Sequence, residues 1–286
     1  MLTFYRLAFL LIIIPGLLFS KSTLWKVQGK SNTVYLLGSV HLLTKESYPL
    51  DEAIYQAFDD SPNLIFEMNL DSGSTPAAQK FILTTAQFKN GQTLKDQLSA
   101  SAFLLADSLC KLVGLDIMRF SVFKPWMLST TIMMAKLHKM GLNPQYGIDR
   151  HLFAKGKQSG KNIIGLETIQ EQIGFIDNLP MNTQEKMLSQ MAEEFSTVES
   201  SIDKIVTAWA SGEISILEKM LLESYKQEPE LHKILLIQRN KNWLQKIRPL
   251  LSGDQNYMII VGAGHLVGDQ GLIHLLKKAN YVIEQM

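Results

Sequence analysis

Tyr35-Leu36-Leu37-Gly38-Ser39-Val40-His41-Leu42 decides how this chain is read, because the same device returns near the other end. There it is Ile259-Ile260-Val261-Gly262-Ala263-Gly264-His265-Leu266. Each is an apolar run that stops at a glycine and delivers a histidine three residues later. A short apolar run of this kind fits a buried strand. Glycine has no side chain to clash, so a sharp turn is expected at Gly38 and at Gly262, lifting the imidazole off the sheet. One sheet carrying both strands would bring His41 and His265 together, to share a metal ion or to flank a substrate.

Outward from the first copy, residues 24–27 and 33–37 are apolar runs joined by Gly29-Lys30-Ser31-Asn32, which predicts a hairpin. Helical spacing over 50–58 ends at Ser61-Pro62-Asn63, and 64–70 reads as a strand. Helical spacing returns over 81–88, 94–98, 102–113 and 126–140, punctuated by Gly91, Gly114 and Pro125. A further helix opens near Gly147, 162–166 is a short strand, and 181–252 is almost wholly helical. Residues 256–261 form a strand, 270–278 a helix and 281–283 a last strand. This order predicts an α/β fold with α+β-like layout. A mixed central sheet is built from the N- and C-terminal strands, and a large helical insertion covers it. The sheet is mixed because its first pair is a hairpin. No long polar linker divides residues 23–286, which read as one domain.

The 286 residues, 46% of them hydrophobic, are enough for a sizeable core. Lys+Arg 28 against Asp+Glu 27 leaves a formal charge of +1, without the basic footprint of a nucleic-acid binder. No polybasic block suits a membrane surface. Arg6, the apolar run 7–19 with Pro15-Gly16, and then Ser20 and Ser22 read as a secretory signal peptide over 1–22. The run is short for a bilayer span, which needs about 20 residues. The expectation is export to the periplasm or beyond, with no transmembrane span after the leader is removed; an uncleaved anchor is the lesser alternative. Cys110 is the single cysteine, so no internal disulfide forms. Its apolar helical setting predicts an inert buried thiol.

Ligand sites in open α/β sheets gather beyond the carboxyl ends of strands. His41, Glu67, Glu167 and His265 all fall at such ends. Imidazole nitrogen and carboxylate oxygen together hold a divalent cation, or act directly on substrate as acid and base. Glu67 interrupts an apolar strand, so it faces either solvent or a polar site. Arg239-Asn240 closes the apolar run 234–237, with Trp243 following. This arginine suits a substrate carboxylate or carbonyl, or simply a solvated helix face. His138, His151, His232 and His274 sit in helical patterns and read as surface or packing residues. Trp126, in Lys124-Pro125-Trp126, reads as core at a helix start with proline in the first turn. A Gly-x-Ser-x-Gly elbow is absent, as are a His-Glu-x-x-His helix and a glycine-rich phosphate loop. A metalloenzyme with this sequence must assemble its ligands from distant segments.

The motifs in order resemble the TraB/GumN-like family, which includes the Tiki-type metalloproteases. The matching segments are Leu37-Gly38-Ser39-Val40-His41-Leu42, Phe66-Glu67-Met68, Lys124-Pro125-Trp126 and Gly147-Ile148-Asp149. They continue with Gly165-Leu166-Glu167-Thr168, Arg239-Asn240 and Val261-Gly262-Ala263-Gly264-His265-Leu266. The resemblance runs from about Trp25 to the C-terminus. It implies an α/β fold in which the two Gly-x-x-His halves meet at one site. It also implies metal ligation or catalysis by His41, Glu67 and His265, with Arg239 in the same site. Asp149, Glu167, Asn240, Gly38 and Gly262 are then positioning or substrate-binding residues. The implied activity is hydrolysis of a peptide or small-molecule substrate by water activated on Mn, Co or Zn. In that reading Arg239 stabilises the oxyanion. The alternatives are a metal-independent esterase, as in the erythromycin-esterase-like fold, and an envelope protein that binds metal or haem without turnover.

Overall fold

The computed structural model describes residues 22–226 and 228–286. The leader read over 1–22 lies outside them, apart from Ser22. Among the described residues no helix is long and apolar enough to cross a membrane.

The strands are β1 Leu24–Gln28, β2 Thr33–Ser39, β3 Asn63–Met68, β4 Asn162–Glu167, β5 Tyr257–Gly262 and β6 Ile283–Gln285. They form one sheet in the order β4-β3-β5-β2-β1-β6. β1 and β2 make the expected antiparallel hairpin, and β6 runs antiparallel on the outer side of β1. β4, β3, β5 and β2 are mutually parallel. The sheet is therefore mixed, as read from the sequence. The two apolar runs lie side by side, with Leu36 opposite Ile259 and Ser39 opposite Gly262. Parallel neighbours end at the same edge, which is why the two histidines meet.

The central strands are apolar on both faces, as parallel strands covered by helices must be. Leu37, Phe66 and Ile260 pack with Phe58, Ile148 and Leu152 on one face. Leu36, Ile65 and Ile259 pack with Trp243, Ile247 and Leu272 on the other. The helical insertion has its own apolar cluster, including Leu94, Leu109, Leu128, Ile132 and Leu188, with no strand residue in it. Cys110 is buried in that cluster, in keeping with an inert thiol.

Lys124-Pro125-Trp126 ties this insertion to the sheet's edge. Pro125 opens the helix Pro125–Lys139. The Lys124 ammonium donates to Asp177 Oδ1 at 2.7 Å, and the Trp126 indole N–H donates to the same oxygen at 2.9 Å. Asp177 ends the helix Ile169–Asp177, which starts two residues beyond β4 behind the Thr168–Glu171 capping box. Trp126 is buried, as expected of a core residue.

Three expectations shift. The helix read over 81–88 runs Pro76–Thr85 instead, started by Pro76 and by the Thr75 hydroxyl accepting from Ala78 N–H. The last strand begins at Ile283 rather than 281. The sharp turns expected at Gly38 and Gly262 are not there. Both glycines are inside strands, and neither has positive φ. What they permit is close approach. A Cβ on Gly38 would sit 3.2 Å from the Ala263 Cα, and one on Gly262 would sit 3.2 Å from Glu67 Oε1.

Asp177→Ala leaves the shielded Lys124 ammonium unpaired. It is expected to lower the stability of the folded chain by about 3 kcal/mol, measured by urea unfolding; a loss below about 0.5 kcal/mol would remove the clamp from this account.

Candidate functional site

Four adjacent parallel strands deliver the site. His41 lies two residues past β2 and Glu67 is on β3. Glu167 ends β4, and His265 follows β5 in the short turn Ala263–His265. Phe66 pairs with Ile260 and Met68 with Glu167, so the two glutamates project at the same sheet edge. The helix Gln238–Leu250 supplies Arg239, Asn240 and Trp243. A π-helical turn, Lys233–Ile237, precedes it.

The two histidines have matching motifs and different partners. His41 Nδ1 donates to Asp149 Oδ2 at 2.7 Å, and Ser39 Oγ donates to Asp149 Oδ1 at 2.8 Å. The Asp149 charge raises the His41 pKa to about 9. His265 Nδ1 lies 2.7 Å from Asn240 Oδ1. The Asn240 amide nitrogen donates to the carbonyls of His265 and Gln270, which fixes the amide so that Oδ1 must accept. His265 is therefore protonated on Nδ1 and has its lone pair on Nε2. Its ring is buried and tilted against Trp243, with centroids 4.3 Å apart. Burial pushes its pKa down to about 3, so it is neutral at pH 7.

Arg239 joins these parts. Nη2 donates to Glu67 Oε2 at 2.6 Å and to Glu167 Oε2 at 2.8 Å, and Nε donates to Glu167 Oε1 at 3.0 Å. Nη1 donates to the Leu235 carbonyl at 3.3 Å and to His265 Nε2 at 3.1 Å. A guanidinium has five N–H donors, and all five are taken. The oxyanion role expected of Arg239 has no free donor here. The side chain works as the cation between two carboxylates, stacked on Trp243 and Phe175.

Glu67 Oε1 accepts the Gly262 backbone N–H at 2.8 Å. Burial opposes its charge, but the surrounding imidazoles, the Arg239 guanidinium and that N–H outweigh it. They hold its pKa at about 2. Glu67 Oε1, His41 Nε2 and the His265 ring edge all surround one small space. A Cβ on Gly262 would stand 3.2, 3.6 and 3.8 Å from them. The Gly262 hollow is thus where the candidate groups converge.

The chemistry of these donors suits a divalent cation. Both imidazoles have Nδ1 tied to a fixed acceptor and Nε2 turned toward Glu67, the arrangement usual for metal-ligating histidine. Two carboxylates on one guanidinium also leave negative charge over. Among the described residues, however, no group of three or more His, Cys, Asp or Glu side chains is placed to hold a metal ion. The reason is local: Arg239 Nη1 occupies the His265 lone pair, and His265 Nε2 stays 4.0 Å from Glu67 Oε1. His41 Nε2 and Glu67 Oε1 are the open donors.

The structure gathers His41, Glu67, Asp149, Glu167, Arg239, Asn240 and His265 at one edge, with Gly38 and Gly262 behind them. Sequence reading passed over Ser39, Trp243 and Gln172. The Trp243 indole N–H donates to Glu167 Oε1 at 2.8 Å, and the Gln172 amide lies 3.4 Å from Glu167 Oε2. Trp243 had a signal. With Arg239 and Asn240 it repeats at i, i+4 and i+3 spacing on one helix face.

With this arrangement in view, the chain matches the TraB/PrgY/gumN family over residues 23–285 and belongs to it. It is 24% identical over 243 residues to YbaP of Escherichia coli (strain K12), covering 85% of this chain and 87% of that protein. It is 18% identical over 284 residues to a protein of Treponema pallidum (strain Nichols), covering 93% of this chain and 83% of that one. A short stretch of 54 residues is 35% identical to the "Metalloprotease TIKI homolog" of Amphimedon queenslandica, covering 18% of this chain and 11% of that protein. No solved structure matches the chain.

The His41–Asp149 pair makes a signed prediction. A histidine pKa raised on folding adds stability that is complete below the unfolded value near 6.5 and is lost as pH rises through about 9. By NMR, His41 is expected to titrate well above 6.5 in the wild type and to fall back toward it in Asp149→Asn. Equal titration in the two proteins would show that Asp149 does not hold the imidazole.

Proposed function

We propose that the protein is an exported hydrolase of peptide bonds that depends on a divalent metal ion and works in the Gly262 hollow. One observation carries the reading. His41 Nε2, an ionised Glu67 and the Cδ2 edge of the fixed His265 ring converge on a single open point at the carboxyl ends of parallel strands. Family membership and the short likeness to a protein named as a metalloprotease support it.

The ion would be held by Glu67 Oε1 and by His41 Nε2, whose neutral-pH proton it would displace. His265 would join them only if Arg239 Nη1 released its lone pair. Lewis acidity is what a divalent cation supplies there, polarising a carbonyl and acidifying water. The chain's own residues do the rest. Asp149 accepts from His41 Nδ1–H and so turns Nε2 toward the hollow. Arg239 and the Gly262 N–H keep Glu67 ionised and hold its Oε1 toward the hollow. Gly262 leaves room for the substrate carbonyl, and Asn240 and Trp243 fix the His265 ring.

A second reading is favoured by the guanidinium on His265 and by the raised His41 pKa. In it no metal takes part. His41, protonated at neutral pH and backed by Asp149, donates a proton from Nε2 to the leaving group and regains one from the attacking water, which Glu67 positions, as the acid product forms.

The test is cleavage of a fluorogenic peptide pool by the purified chain with added Mn, Co or Zn, and with a chelator. Cleavage is expected in a metal arm only. It should fall at least about 100-fold in His41→Ala and Glu67→Gln, and in Gly262→Ala, whose methyl fills the hollow. Chelator-resistant cleavage of peptides or small esters would replace the metal reading with the second one. Lack of hydrolysis in every arm would overturn both.

A further inference from the structure

The hollow beside His41 continues in two directions along the strand tips. On one side is a space of about 210 Å³ bounded by Glu67, Met68, Leu70 and Asp149. On the other is a space of about 340 Å³ bounded by Val40, Ile205, Leu221, Leu236 and Ala263. His41 borders both. A third space of about 550 Å³, rimmed by Glu218, Lys219, Lys226 and Asp269, shares Tyr225, Leu236 and Gly264 with the second. Shared walls place the three side by side, with the candidate chemistry between the first and the second.

The middle space differs in character from its neighbours. Apart from His41, none of its lining side chains carries a charge. Ile205, from the helix Val198–Ala210, and Leu221, from the helix Ile214–Glu223, form its outer wall. Leu236, from the π-turn that leads to Arg239, forms the inner wall. An apolar group placed there leaves water and gains accordingly. A charged group placed there loses its hydration among apolar walls, and an anionic one also meets Glu67 Oε1 beside Gly262.

We infer that this middle space is a specificity subsite for one large aliphatic or aromatic side chain of a peptide. The cleaved bond of that peptide would lie at His41, and its chain would run on toward the charged third space. The inference rests on the peptidase reading and sharpens it by naming the side chain beside the bond.

The test uses the full chain and two readouts. The first is kcat/KM for matched peptides with Leu, Phe, Ala or Asp beside the cut bond. The second is the affinity for N-acetyl-leucinamide against N-acetyl-alaninamide, measured by calorimetry or NMR. Leu and Phe peptides are expected to exceed the Ala peptide by at least about tenfold, with Asp lowest. Ile205→Trp fills the space and should reverse the order of Leu and Ala. Leu221→Ala widens it and should favour Phe over Leu. These opposite shifts cannot both come from loss of fold. Cleavage without preference would overturn the subsite and leave the hydrolase standing. Tighter leucinamide binding that Ile205→Trp abolishes, with no cleavage of any peptide, would support the subsite and overturn the peptidase reading. Equal binding and no cleavage would overturn both.

Discussion

The strand edge is organised around one buried guanidinium. β3 and β4 are adjacent and parallel; Glu67 lies one residue before the end of β3, Glu167 ends β4, and both reach the same guanidinium. Two carboxylates that close and that shielded repel one another and lose hydration. Arg239 makes the pair tolerable by donating to both, and its remaining N–H groups fix His265 and the turn behind it. Lysine, a point charge with three donors, would not bridge these acceptors. Through this one side chain, β3, β4, the turn after β5 and the helix Gln238–Leu250 are held in register.

The paired Gly-x-x-His segments look equivalent in sequence and are not equivalent in the molecule. His41 leans on the Asp149 carboxylate, so it takes up a proton readily. His265 leans on an amide and is buried under Trp243, so it stays neutral. The difference comes from residues far from either motif, Asp149 and Asn240. Environments that push two titratable groups apart are how one site provides both a donor and an acceptor at the same pH.

Much of this was legible in the chain itself. Apolar runs of strand length bounded by glycine and polar turns marked the strands, and the repeated histidine motif marked the edge where they end. His41, Glu67, Glu167 and His265 could be placed together because parallel strands share a carboxyl edge. The partners of these residues were harder to see. Nothing local to Asp149 indicates that Ser39 and His41 meet it, since that contact spans over a hundred residues of chain. The full engagement of Arg239 was equally hidden, because a donor count needs coordinates. The glycines were correctly singled out for the wrong physical reason: they make room for neighbours and do not bend the backbone.

The position of β5 has a consequence for how the molecule is made. It lies between β3 and β2, yet it is synthesised nearly two hundred residues after β3. Until residues 257–262 leave the ribosome, the earlier strands have no partner at the centre of the sheet. Closing contacts of such long sequence separation is slow. Until β5 is made, the edge that brings His41, Glu67 and His265 together cannot assemble.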